Sequence, residues 1–283
     1  MAQKKLSEEE LAQKRAEQKL IDACAVSDVN QVQKSLANKV NVNAKDRTGN
    51  SALYYTDSTE IAKMLIEAGI DVNSKDGMGF TVLHSTKSYE IFKLVLENGA
   101  DVNAQSMYGT TPLHHIVSPK DEFSSKKMSV DEQLKIADLF IKKGADVNIK
   151  DKDGLTPLFM TESPELVDLL VQNGADVNAI DNQGKTPLHY ATNLKLAKAL
   201  IKNGADITIK DKNGRTPLDV IRLKMKSMMN KDAKQYKELK EIEALLVEKM
   251  NGKNNSNAIQ SLSSASKQNE SQQKGVVSSH GRN

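Results

Sequence analysis

The 283-residue sequence predicts a mainly α fold: a solenoid of stacked helix-turn-helix units linked by β-hairpin loops, about six to seven repeats including degenerate caps. Two observations predict it. Gly-Ala-Asp-Val-Asn occurs at Gly99, Gly144 and Gly174 and in drifted form at Gly69 and Gly204, and ten residues after each stands another Gly ahead of Thr-Pro-Leu-His or a relative. This second set, Gly49, Gly79, Gly109, Gly154, Gly184 and Gly214, is spaced by 30, 30, 45, 30 and 30 residues, and a fixed period in this range marks a chain of stacked units.

The stretch from Gly174 to His189 gives the elements of one repeat in order. Gly174 ends a helix, in the left-handed position that only glycine adopts without a Cβ penalty. Asp176 to Asn178 is expected to be extended, and Asp181 to Gly184 has the composition of a tight turn. Thr186 and Pro187 then read as N-cap and first helical residue, where the missing proline N–H is not needed. The second helix starts near Ser58, Ser88, Ser163 and Asn193, all good caps in equivalent positions, with Pro164 following Ser163.

Apolar residues of the second helices recur as Ile61, Ala62, Leu65, Ile66; Ile91, Phe92, Val95, Leu96; Leu166, Val167, Leu170, Val171; and Leu196, Ala197, Leu200, Ile201. This spacing makes one broad buried stripe per helix. Each buried Leu or Ile contributes roughly 1.5–3 kcal/mol, and so short a helix pair gains that only by stacking on its neighbours.

With Thr-Pro-Leu-His at Thr111–His114 and Thr186–His189, residues from about Leu20 to Met250 resemble an ankyrin-repeat protein, in the short-repeat form also found in intracellular bacteria. The usual ankyrin repeat has about 33 residues. Here the ten-residue distance between paired glycines is constant, so the shortening is placed at the end of the first helix and its turn. The first two repeats read Ser51-Ala52-Leu53-Tyr54 and Thr81-Val82-Leu83-His84, losing Pro and keeping Leu. The third carries 15 extra residues between Val117 and Leu134, and Ser129 with Glu132 form a capping box that restarts its helix. This insertion separates the two helices and is expected to project from the end opposite the hairpin tips.

The domain reading is a charged N-terminal helix over 1–19, capped by Ser7 and Glu10, an ankyrin-repeat domain over 20–250 and a polar tail over 251–283. Repeats fall near 20–44, 45–74, 75–104, 105–149 with an insertion at 118–132, 150–179, 180–209 and 210–250. Leu20 to Asn43 is a worn first repeat with Cys24 and Val32 inside. The last repeat closes with a longer helix pair, its second helix carrying Tyr236, Leu239, Ile242, Leu246 and Met250 on one face. The tail is rich in Ser, Asn, Gln and Lys and is expected to be disordered, because it has too few apolar groups to offset the entropy of ordering.

Charge and motifs exclude several function classes. The tail holds four positive residues and one negative, leaving 36 of each sign in residues 1–250, so the body is neutral. That argues against nucleic acid as a partner. The local cluster Arg222, Lys224, Lys226, Lys231 and Lys234 is diluted by acids and reads as a solvated helix face. No segment reads as a signal peptide or membrane span, and one cysteine permits no internal disulfide. The histidines at the fourth position of the motif, His84, His114 and His189, are expected to make the structural hydrogen bonds that the resemblance implies. Adjacent His114 and His115 lack zinc-helix spacing, and Asp151 and Asp153 suit a turn. No phosphate loop, nucleophile elbow or dinucleotide fingerprint occurs. The reading is no enzyme, no catalytic residue, no metal and no cofactor.

What remains is recognition. In ankyrin arrays partners meet the hairpin tips and the exposed side of the first helices, one concave surface. By register, Met78, Phe80, Met107, Tyr108 and Leu155 are expected to form an apolar, aromatic patch with Met160. Lys185, Lys212 and Arg215 flank it on the C-terminal side, with Tyr190 on a first helix. The expected partner is a protein or peptide with an apolar centre and an acidic edge, and the chain is expected to be a monomer. The alternative function is a secreted bacterial effector, with the tail as its export signal and a host protein as its target. The 35 lysines against 5 arginines hint at an AT-rich bacterial genome. Localisation is accordingly read as cytoplasmic or exported.

Overall fold

The computed structural model describes residues 7–118, 128–228 and 233–252. The first helices of successive repeats are α1 (Glu8–Ala25), α3 (Ala52–Tyr55), α5 (Val82–Ser85), α7 (Pro112–Val117), α9 (Pro157–Met160), α11 (Pro187–Tyr190) and α13 (Pro217–Ser227). The second helices are α2 (Val29–Ala37), α4 (Thr59–Glu67), α6 (Tyr89–Glu97), α8 (Val130–Lys142), α10 (Pro164–Gln172), α12 (Leu194–Lys202) and α14, over 234–252. From α1 to α13 the first helices pack one on the next, and from α2 to α12 so do the second helices, which gives a two-layered array. Helix α1 runs unbroken through the junction drawn at residues 19 and 20, and its Ser7–Glu10 capping box is present.

The shortening lies where the spacing placed it. Four of the first helices are single turns of four residues. Each then breaks at a joint that sequence patterning did not single out. Thr56, Thr86 and Thr161 are buried there and accept the N–H of Ser58, Ser88 and Ser163 on Oγ1 at 3.1–3.2 Å. The serine in turn caps the second helix, accepting from the backbone N–H three residues on. Asn193 does the same for α12.

Among the described residues there is no sheet strand; the hairpins are tight turns, and the first carries one antiparallel bridge between Lys45 and Ser51. The segment Asp176–Asn178, expected to be extended, is a turn instead. The Asp176 carboxylate accepts the Asn178 N–H at 2.9 Å, and its carbonyl accepts the Ala179 N–H at 3.1 Å. A short Asx turn satisfies these groups locally, so no strand partner is needed. It also aims Asn178 at the next repeat. Its amide donates to Gly204 O at 3.2 Å and accepts Asp206 N–H at 2.7 Å. Asn43, Asn73, Asn103 and Asn148 make the same pair of bonds, so at five junctions one asparagine ties a repeat to the following one, while Thr208 holds that position at the last.

The core runs the length of the array between the layers. Ile61, Ala62, Leu65, Ile91, Phe92, Val95, Leu96, Leu166, Val167, Leu170, Leu196, Ala197 and Leu200 of the stripes are buried, with Ile66, Val171 and Ile201 half-buried against them; Cys24 and Val32 of the worn N-terminal repeat and Leu239, Ile242 and Leu246 of α14 are buried too. Phe92 and Phe140 meet edge to face at 5.1 Å where α6 passes α8. The third repeat's insertion falls mostly on residues 119–127, and the tail on 253–283, both outside the described residues. Its two ends are joined by Gln133, a buried residue of α8 whose amide donates to Ile116 O at 2.8 Å and Ser118 O at 3.0 Å. Gln133→Ala leaves those two carbonyls without their donor, and a loss of about 1–3 kcal/mol in stability is expected from thermal unfolding followed by circular dichroism.

Candidate functional site

The hairpins are stacked by their own backbones. Met107 N donates to Met78 O at 2.8 Å, Lys152 N to Tyr108 O at 2.9 Å, Asn182 N to Asp153 O at 2.9 Å and Lys212 N to Gln183 O at 2.9 Å. The tip side chains of Met78, Met107 and Tyr108 make none of these bonds, whereas that of Asn182 adds one, donating Nδ2–H to Lys152 O at 2.8 Å. Behind five of the six tips an aspartate folds the turn, as where Asp76 accepts the N–H groups of Met78 and Phe80 at 2.8 Å and Asp181 those of Gln183 and Lys185 at 2.8 Å; behind the Met107–Tyr108 tip Ser106 stands there and accepts the Tyr108 N–H on Oγ at 3.2 Å.

Two rows of side chains follow from this geometry. One comes from the residue after each tip glycine: Asn50, Phe80, Thr110, Leu155, Lys185 and Arg215. The other comes from the first helices: Tyr55, Ser85, His115, Met160, Tyr190 and Val220. The rows touch where Asn50 donates its amide N–H to the Tyr55 hydroxyl at 2.9 Å and where Thr110 Oγ1 and His115 Nε2 meet at 3.2 Å; Tyr55 and Tyr190 also donate their hydroxyls to Asp46 and Asp181 behind the tips, both at 2.6 Å. The interval of nine residues from Asp to Tyr, repeated in two repeats, was a signal that the sequence carried. Burial and the Asp181 carboxylate push the Tyr190 hydroxyl well above the ordinary phenol range.

The structure divides the expected apolar patch. Met78, Met107 and Tyr108 project from adjacent tips with 46%, 50% and 50% of their surface exposed. Phe80, by contrast, is only 8% exposed, so its reading as a surface anchor is corrected. Its ring lies 5.4 Å from those of His84 and His115 and 6.3 Å from Tyr108, because a large ring in the row behind the tip is covered by the next repeat. Leu155 and Met160 are half-buried, and Met160 packs on the core. Lys185 and Tyr190 are half-buried side by side, the ammonium 5.3 Å from the ring centre, while Lys212 and Arg215 are exposed.

The basic cluster on the last helix pair separates. Arg222 pairs with Glu243 at 2.8 Å. Lys224 is half-buried and reaches back to His189 O at 3.4 Å, and burial with the neighbouring Lys185 holds its ammonium below the usual lysine range. Reading the cluster as one solvated helix face missed this lysine, because helix periodicity does not show which preceding repeat a side chain reaches.

The motif histidines lock junctions. The backbone N–H groups of Thr81, Thr111 and Thr186 donate to Nδ1 of His84, His114 and His189 at 3.0–3.1 Å. Nδ1 is therefore the acceptor, and Nε2–H donates to the carbonyls of Thr110, Leu155 and Arg215 in the following hairpin at 3.1–3.2 Å. Burial is the main cause that lowers the imidazole pKa values, to about 3 for His84 and about 4 for His114, with His189 shifted the same way. Among the described residues, no three His, Cys, Asp or Glu side chains are grouped to hold a metal, and no helix is long and apolar enough to cross a membrane.

Comparison with known proteins agrees with this architecture. No curated protein matches the chain. Among solved structures, the ankyrin repeat domain of Bcl-3, described as a unique member of the IkappaB protein family, is similar with a TM-score of 0.59 and 25% identity over 71% of this chain and 92% of that one. The family profile for ankyrin repeats (3 copies) matches residues 20–106 and 127–211, more than half of the sequence. Profile, period and junction geometry converge, and the chain belongs to the ankyrin-repeat family.

Proposed function

We propose that this protein is a non-catalytic scaffold that captures a protein or peptide partner on its hairpin tips and first helices, with Met78, Met107 and Tyr108 as apolar anchors. Ankyrin repeats are an interaction fold, generally without catalytic activity, which supports the class of function. One observation carries the choice of surface. Three large apolar side chains on neighbouring tips are about half exposed, although backbone bonds already hold those tips together. Exposure without a folding role marks a partner site, and flexible thioethers beside an aromatic ring suit a protein surface. Leu155, Met160 and Tyr190 extend the surface toward the later repeats, and Lys185, Lys212 and Arg215 give it a basic edge.

The test is the triple variant Met78→Ala, Met107→Ala, Tyr108→Ala. Partners found by proximity labelling of the natural chain should be lost by the variant, with affinity down at least about tenfold and the thermal melt nearly unchanged. Undiminished capture by a folded triple variant would sink this choice of surface.

A further inference from the structure

The two rows of side chains on the recognition face change character along the array. Through the fourth hairpin neither row contains a charged residue; then the post-glycine row ends in Lys185 and Arg215. Lys224, one helical turn beyond Val220, brings a third cation to the same end by reaching over to the His189 carbonyl of α11. The carboxylates of the two hairpins that carry Lys185 and Arg215 are turned inward, while the exposed Asp153 on the preceding tip lies toward the Tyr190 side. Asp181 and Asp211 are 7% and 5% exposed, and both accept backbone N–H groups of their own hairpins on Oδ1. Asp181 spends its other oxygen on Tyr190. Only neutral acceptors meet the two ammonium groups: Gln183 Oε1 at 2.8 Å for Lys185 and His189 O at 3.4 Å for Lys224. Neither ammonium group is thus bonded to a carboxylate, although Asp153 stands exposed on the Tyr190 side.

We infer that Lys185, Lys224 and Arg215, beside the Tyr190 ring, form a seat for the carboxylate side chains of an acidic partner segment. Two ammonium groups brought together without an acid between them repel one another, and a carboxylate entering from solvent relieves that repulsion while gaining charge-assisted hydrogen bonds. The inference rests on the recognition face proposed above and adds a direction to it. The acidic end of the partner lies over the last two repeats, and its apolar part lies toward Met107 and Tyr108.

The probe is acetyl-hexaglutamate amide, titrated into the full chain labelled with nitrogen-15. Saturable shifts are expected at the amides of Lys185, Tyr190, Arg215 and Lys224. They should weaken as salt is raised, and the double variant Lys185→Ala, Lys224→Ala should lower the affinity about tenfold. Arg222→Ala, whose side chain pairs with Glu243, should leave the titration unchanged. The variants' own amide spectra report whether they fold. The seat is refuted by shifts that do not saturate, by shifts that the double variant retains, or by equal binding of acetyl-hexalysine amide. Tighter binding of a short DNA duplex at the same amides also refutes it, in favour of nucleic acid. Because the earlier test concerns Met78, Met107 and Tyr108, the seat can fail while that reading stands, and the reverse.

Discussion

Gly154→Ala is expected to destabilise the array by about 2–4 kcal/mol, whereas Gly174→Ala should cost only about 1 kcal/mol. Both glycines have positive φ, 82° and 89°, so the backbone penalty is shared. The difference is what a methyl group would meet. At Gly154 it would lie 2.8 Å from both the N and the Oδ1 of Asn182 and 3.1 Å from the Asp181 carbonyl carbon, in the following hairpin; at Gly174 nothing lies within 4 Å. Relief at Gly154 requires the hairpins to part, which stretches the Asn182–Asp153 bond of 2.9 Å and strains the junction. Thermal melts of the two variants side by side provide the check. Equal losses would mean that the tips are not in close contact.

Stability should also fall steeply between pH 6.5 and pH 4, because three imidazoles, the buried His114 and His189 and the half-buried His84, are held neutral. The folded-state values of His84 and His114, about 3 and about 4, lie below the ordinary value of 6.5. In that window the unfolded chain binds more protons than the folded one, so acid favours unfolding. The stabilisation is fully present above pH 6.5 and is lost as pH falls toward the folded values. By pH 5 the loss is about 2 kcal/mol for each of His84 and His114, with His189 adding in the same direction. Carboxylates held low by hydrogen bonds, such as Asp168 beside Asn203 and Lys202, lose theirs only at lower pH. The geometry agrees with this sign, since a proton on Nδ1 would face the N–H of Thr81 or Thr111. Melting temperatures at pH 8 and pH 5 measure the effect. His84→Gln with His114→Gln should lower stability at pH 8 and flatten the dependence, because Gln still accepts the cap N–H without titrating.

Much of the frame was legible because its signals are local. Gly permits positive φ and Pro fixes φ, Ser and Thr cap, and apolar spacing reports a buried face, so the helix order, the capped starts and the shortened first helices follow from short stretches of sequence. Asp176–Asn178 was misread because Val177 between two polar residues has the look of a strand, while the turn depends on a carboxylate closing on a backbone N–H. The surface was harder to read. Phe80 and Tyr108 are both aromatic and both lie beside a tip glycine, yet one is buried and the other exposed. The difference is which side of the glycine each occupies, and therefore whether the next repeat covers it. Lys224 escaped notice for a related reason: its position depends on a neighbour 35 residues away.

The insertion in the third repeat leaves the junction it interrupts unchanged. Asn103 donates to Gly144 O across 41 residues at 2.9 Å, where Asn73 reaches Gly99 O across 26 residues at 3.0 Å. With Gln133 closing its base, a change of length between Ser118 and Ser129 is expected to leave the spacing of the array unaltered. That makes it a splice point. An epitope, a fluorophore-bearing loop or a small domain entered there would ride on the scaffold while the recognition face kept its geometry.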